Sequence, residues 1–407
     1  MKLSPENFVK HRPHTPVNRR SARFRTWLSA LVLAAAAVGS TGTANAVPKT
    51  APGTTTGAAA QPTASVTYDL GDVAYRLPGT GEPVEMAGVV RYPADLAHGR
   101  HPLVVLLHGW HETCADPEAE AARTAAEQAD DLDAYTAASK KLFSWPCAAG
   151  TPALPSFRGY DYLSRRLASR GFVVVSLSAN GINASSVSGD DNAAARAALI
   201  NRHLKLWERL DRTGTGALAG AFRHATTGQR ENVPFAHHLD MKNVGVVGHS
   251  RAGAGVTWQA ADRHRSQWPA GVRVTAAVAV APAYNVMTEN MAEYTVTRLP
   301  LAVLRGTCDG QVGEEALSFA AEAAAGNRYG FRRLRVQGAN HNFFNTQWSP
   351  HSGQVAAFDD AVQVGEQPGW CTDRDGAPAA RRLTEVQQRR VAISYIDAFM
   401  RRGLGMG

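Results

Sequence analysis

The chain has 407 residues, of which 44% are hydrophobic and 19% charged, and only 4 are cysteines, which excludes a disordered polymer, a collagen-like repeat and a small cysteine-framework protein. The formal charge is +8, yet residues 1–46 carry seven basic side chains (Lys2, Lys10, Arg12, Arg19, Arg20, Arg23, Arg25) against Glu6 alone. The rest of the chain is close to neutral, so no phosphate-binding surface and no nucleic-acid partner is expected.

Lys10 to Arg25 is positive, Trp27 to Val38 is apolar, and small residues then lead to Ala44-Asn45-Ala46. A charged start, a short apolar middle and an A-x-A end predict a secretory signal peptide over 1–46, cleaved near Ala46. Twelve apolar residues rise only about 18 Å against a hydrocarbon layer of about 30 Å, so no stable membrane anchor is expected. Residues 47–64, rich in Ala, Thr, Pro and Gly, read as a flexible linker, and 65–407 as one domain without internal repeats.

Within that domain, Val84 to Tyr92 predicts antiparallel edge strands, and the unbroken apolar run Leu103–Leu107 predicts a strand covered on both faces. Tyr160–Arg170 is amphipathic and stopped by Gly171, so it reads as a helix; Phe172–Leu177 is the next strand and Ala193–Leu210 another helix. Strands come next at Val244–Val247, Val274–Ala281, Leu301–Arg305 and Arg333–Val336, with a helix over Arg251–Arg263 and a last one over Glu385–Met400. Strands alternating with helices predict an α/β fold around a mostly parallel central sheet flanked by helices. Two stretches do not fit the alternation: His111–Pro155, acidic, Ala-rich and helical in its middle, and Asn342–Thr384. Four cysteines allow three pairings. Cys114 with Cys147, and Cys308 with Cys371, are expected in an oxidising compartment, because each pair clips one of these insertions.

Gly248-His249-Ser250-Arg251-Ala252 comes directly after the Val244–Val247 strand and opens a helix. A serine on such a sharp turn sits above the sheet edge with its hydroxyl exposed, and the close packing requires small residues two before and two after it. The strand Leu301–Arg305 leads into Gly306-Thr307-Cys308-Asp309-Gly310-Gln311-Val312, and Arg333–Val336 leads into Gly338-Ala339-Asn340-His341. A serine hydroxyl needs a base to become a nucleophile, and the base needs an orienting carboxylate; the order serine, acid, histidine supplies both. On these motifs the stretch from Val84 to Phe399 resembles the α/β-hydrolase superfamily, in its secreted bacterial serine esterase and lipase-like branch with cutinase-like and polyester-hydrolase-like relatives.

The resemblance implies Ser250 as nucleophile, His341 as base and Asp309 as the acid, with insertions after the first parallel strand and after the histidine. It implies an oxyanion hole from the backbone N–H of Arg251 and that of Trp110, in the His108-Gly109-Trp110 match to the family's His-Gly-x, with Gly109 as the alternative donor. His249 is expected to pack beside the turn, and Trp110, Tyr160, Trp258, Tyr284 and Phe343 either line the pocket or belong to the core. His237, His238 and Asp240 lack a metal-ligand spacing, and no Gly-rich nucleotide motif comes after the first strand, so neither metal nor cofactor is expected. The expected activity is hydrolysis of a carboxylic ester, small or polymeric, through an acyl-enzyme. A peptidase or amidase on the same scaffold, or a catalytically silent binding module, are the rival expectations.

Overall fold

A computed structural model describes residues 60–354, 362–363, 369–372 and 380–406. The expected signal peptide and most of the expected linker lie outside these residues. Among the described residues nine strands form one large sheet: β1 (Thr63–Asp69), β2 (Ala87–Pro93), β3 (His101–Leu107), β4 (Val173–Leu177), β5 (Arg223–His224), β6 (Leu239–His249), β7 (Val274–Val280), β8 (Leu301–Gly306) and β9 (Phe331–Val336). Their spatial order is β9-β8-β7-β6-β3-β4-β2-β1-β5. From β9 to β4 every neighbouring pair is parallel, whereas β2, β1 and β5 are joined antiparallel. The fold is α/β with a mostly parallel sheet, as the alternation predicts.

The helices are α1 (Pro117–Gln128), α2 (Leu132–Leu142), α3 (Asp161–Ala168), α4 (Asn180–Ala184), α5 (Gly189–Thr213), α6 (Arg251–Ala260), α7 (Glu315–Ala323) and α8 (Glu385–Gly403). The pleat sends alternate residues of each strand to opposite faces. Leu103, Val105 and Leu107 pack in one core with Leu199, Leu204 and Trp207 of α5 and Val256 of α6. Val104 and Leu106 pack in the other with Leu163 and Leu167 of α3 and Ile396 and Met400 of α8. Each such aliphatic, once buried, contributes about 1.5–3 kcal/mol, and β3 and β4 are buried along their whole length. α8 opens with a reciprocal Thr384–Gln387 capping box, and α5 stops where Gly214 takes a left-handed φ of 66°.

Several boundaries differ from expectation. β1 starts at Thr63, inside the stretch read as linker, because Thr63 and Ala64 pair with Pro93 and Tyr92. β2 is not an edge: β1 and β5 lie outside it. The Arg-rich β9 is an edge instead, and Arg332, Arg333 and Arg335 are exposed along it, which discourages further strand pairing. α6 ends at Ala260, since Ala261 turns extended and a 3-10 turn begins at Asp262 and runs to Gln267. The His111–Pro155 insertion carries α1 and α2. Both expected disulfides, Cys114–Cys147 and Cys308–Cys371, are formed. Among the described residues no helix is long and apolar enough to cross a membrane.

Candidate active site

Ser250 stands between the C-terminal end of β6 and the start of α6 with φ 57° and ψ −127°, a conformation costly for any residue with a Cβ. Its neighbours impose it. Ser250 N–H donates to Val280 O (2.9 Å), and Ser250 O accepts from the N–H groups of Gly253 (2.8 Å) and Ala283 (3.1 Å). The tight turn also explains the glycine two residues earlier: a Cβ on Gly248 would stand 2.0 Å from Ala252 O.

The loop after β8 presents Asp309, which is fully buried. Its Oδ1 accepts from the backbone N–H of Gln311 (2.9 Å) and Val312 (2.8 Å), so the carboxylate meets the His341 ring as an acceptor. His341 Nδ1 donates to Oδ2 (2.9 Å) and Oδ1 (3.1 Å). That leaves the lone pair on Nε2, a buried atom with no hydrogen-bond partner among the described residues. Arg305 steadies the acid loop through Val312 O (3.0 Å) and Glu314 (2.6 Å), and the disulfide beside Asp309 ties it to Cys371. Gln388 of α8 grips Asn340 from both sides, accepting from its N–H at 3.0 Å and donating to its carbonyl at 2.8 Å. The motif gives no sign of Gln388, because it lies 48 residues away on another element.

His249 sits beside the turn, as expected. Its Nε2 donates to His341 O (3.0 Å), its Nδ1 accepts from the Tyr160 hydroxyl (3.0 Å), and the rings of His249 and His341 are 5.0 Å apart. Burial, helped by the neighbouring His341, pushes its pKa well below the usual histidine range, so it stays neutral. This pairing brings His341 beside the residue that precedes Ser250, while the Ser250 hydroxyl and His341 Nε2 are not hydrogen-bonded to each other.

The opposite flank is the loop His108–His111, at the end of β3. A Cβ on Gly109 would lie 2.4 Å from Ser250 Cβ, so only glycine allows this approach. The carbonyls of the loop are engaged by other groups. Gly109 O accepts from His108 Nδ1 (2.9 Å) and Asn183 Nδ2 (3.0 Å), and His108 O accepts from Arg196 Nη1 (3.1 Å). In a trans peptide the next N–H points opposite to the carbonyl, so the N–H groups of Gly109 and Trp110 face away from that network. Neither has a hydrogen-bond partner among the described residues, and Arg251 N–H, first in α6, has none within its helix. Arg196 is fully buried, and its other donors go to Asn192 Oδ1 (2.8 Å) and Asn183 Oδ1 (2.6 Å). Desolvation, then repulsion from Arg251, lowers it to about 9, so it remains a cation at neutral pH. Neither Arg196 nor Asn183 stands out in the sequence; an arginine on the apolar face of an amphipathic helix is the one available signal.

At the mouth Trp110 is 39% exposed and stacks on Phe143 (4.6 Å). Phe143 belongs to the inserted segment, which is pinned by Cys114–Cys147, by Thr113 Oγ1 donating to Leu142 O (2.9 Å) and Ser144 O (2.7 Å), and by a buried Arg123–Glu112 pair (2.7 Å). Burial alone would raise Glu112, but His111 and Arg123 beside it hold the carboxyl at about 2. Of the five aromatics considered for a pocket, Trp258 and Tyr284 pack instead around Tyr294 and Phe319, Tyr160 serves His249, and Phe343 is buried beside His341. Among the described residues no group of three or more His, Cys, Asp or Glu could hold a metal ion. No protein-family model matches the chain, and no curated protein matches it.

Proposed function

We propose that the chain is a secreted serine hydrolase of the α/β-hydrolase superfamily, esterase or lipase-like, that cleaves carboxylic esters through an acyl-enzyme. The observation that carries this is the buried Asp309–His341 pair, with Nε2 left without a partner among the described residues and the ring held against His249, the residue before a strained serine. Ser250 Oγ adds to the ester carbonyl while His341 Nε2 takes its proton. Asp309 keeps Nδ1 protonated and stabilises the imidazolium. The N–H groups of Arg251 and Trp110, with Gly109 as the alternative to Trp110, receive the carbonyl oxygen as it becomes anionic. Collapse expels the alcohol, protonated by Nε2–H, and water then reverses the steps on the acyl-serine. The serine–histidine hydrogen bond forms when substrate closes the site; such contacts are commonly longer in free enzymes. Two disulfides support export, after removal of 1–46 as a signal peptide.

The test is a fluorophosphonate probe on the mature full-length chain, followed by esters of graded acyl length beside peptide amides. Covalent labelling and ester turnover are expected, and Ser250→Ala should lose both, with kcat falling by roughly 10⁴-fold or more. Labelling that survives Ser250→Ala would place the nucleophile elsewhere. Amide turnover above ester turnover would make the chain a peptidase, and no labelling with no turnover would make it a binding module.

A further inference from the structure

We infer that the Arg251 side chain forms an anion-binding subsite at the mouth, so that the preferred ester carries a free carboxylate near the bond to be cleaved; this rests on Ser250 being the nucleophile. Arg251 is the residue directly after Ser250, and its guanidinium lies over the Trp110 ring, 4.7 Å from the centroid. Trp110 in turn stacks on Phe143 with an interplanar angle of 12°. Trp110 thus meets both the disulfide-closed segment and the first residue of α6. A guanidinium resting on an aromatic face has its position fixed while its N–H edge stays available in the plane.

That edge is unused. Among the described residues the Arg251 guanidinium has neither a carboxylate partner nor a hydrogen-bond acceptor, and it is only partly exposed. Desolvation lowers it to about 10, with no carboxylate to push it back. Arg196 lies near enough to feel its charge, and it is paired only with amide and carbonyl oxygens. Two cations thus share one flank of Ser250; the buried Glu85 acts on Arg196, whereas no carboxylate among the described residues acts on Arg251. Arg196 has three acceptors of its own and is closed to solvent. Arg251 is partly exposed, and a ligand carboxylate would supply the bidentate partner its geometry favours. Either side of the ester can carry that carboxylate: a half-ester of a dicarboxylic acid offers it on the acyl part, an ester of a hydroxy acid on the alcohol part.

The experiment uses the mature full-length protein and two substrate pairs. One pair is an aryl half-ester of glutaric acid and the same ester with the carboxylate replaced by a carboxamide. The other is the acetyl ester of a hydroxy acid and that of its amide. In at least one pair the charged member should be favoured by roughly tenfold or more in kcat/KM, and the preference should shrink as ionic strength rises. Arg251→Gln should abolish the ratio, and Arg251→Glu should transfer it to an ammonium-bearing ester. Equal rates within both pairs for the unaltered protein, a comparison that needs no variant, would overturn the inference. So would a carboxylate preference that survives Arg251→Gln. Neutral esters turning over without charge preference would leave the nucleophile in place and remove only the subsite. Absence of both labelling and turnover would sink the nucleophile and the subsite together.

Discussion

On one flank of Ser250 a carboxylate is buried and on the other a guanidinium, and neither is hydrogen-bonded to an opposite full charge among the described residues. Asp309 is held by two backbone N–H groups and His341, Arg196 by a carbonyl and two asparagine oxygens. A charge satisfied by dipoles keeps its field, whereas one satisfied by a counter-ion largely loses it. The negative flank faces the ring that would become imidazolium, and the positive flank stands behind the loop where an oxyanion would form. The site is therefore polarised before any substrate arrives, which is the form of stabilisation that costs no rearrangement during reaction.

Three measurements separate the contributions of the two flanks. The largest effect is expected from Asp309→Asn, which keeps the shape of the negative flank but lets Nδ1 accept rather than donate: kcat should fall by roughly 10⁴-fold, as steady-state kinetics would show. A fall of less than tenfold would make Asp309 a turn-former and nothing more. Arg196→Met removes the charge of the positive flank and three donors. It should lower kcat by roughly 10²-fold with little change in KM, and reduce stability by about 2 kcal/mol as its acceptors lose their partners. Loss of stability with kcat intact would show that Arg196 only supports the loop.

The smallest effect, taken per pH unit and per histidine, is in the pH dependence of stability. Burial first, with the neighbouring Arg196 and Arg202 respectively, lowers His108 and His203 to about 3. Unfolding returns each to about 6.5, so between pH 6.5 and 3 the unfolded chain binds the extra proton and stability rises with pH. Denaturant titrations should show a loss of roughly 1 kcal/mol per pH unit per histidine on acidification below about 6.5. A flat profile from about pH 7 to 5 would mean these rings are protonated in place.

The sheet and the three motif residues are legible in the sequence because their signals are local. Leu103–Leu107 is apolar without interruption, and Gly248, Ser250 and Ala252 declare a turn within five positions. Asp309 and His341 each sit shortly after a recognisable strand. β1 is hidden by composition: Ala64, Val66 and Tyr68 do alternate with Thr63, Ser65 and Thr67, but the preceding Ala and Thr tract masks the period. Asn183, Gln388 and Glu85 are not legible, and Arg196 shows only as a charge on an apolar helix face, since their work is long-range. Arg196 meets His108 across 88 residues, and Glu85 accepts from the N–H groups of Asn180 and Gly181, 95 and 96 residues later. No window on the sequence contains both partners.

The strained turn has a consequence for when reactivity arises during the life of the chain. Its geometry is enforced by Val280 and Ala283, and the loop carrying His341 is held at Asn340 by Gln388 of α8. A ribosome-bound or half-assembled polypeptide holding Ser250 alone would relax that residue to an ordinary conformation and present a hydroxyl no more reactive than any other serine's. On the proposed chemistry, competence therefore switches on only with the last helix docked, and an unfinished molecule is harmless to the esters of the cell that makes it.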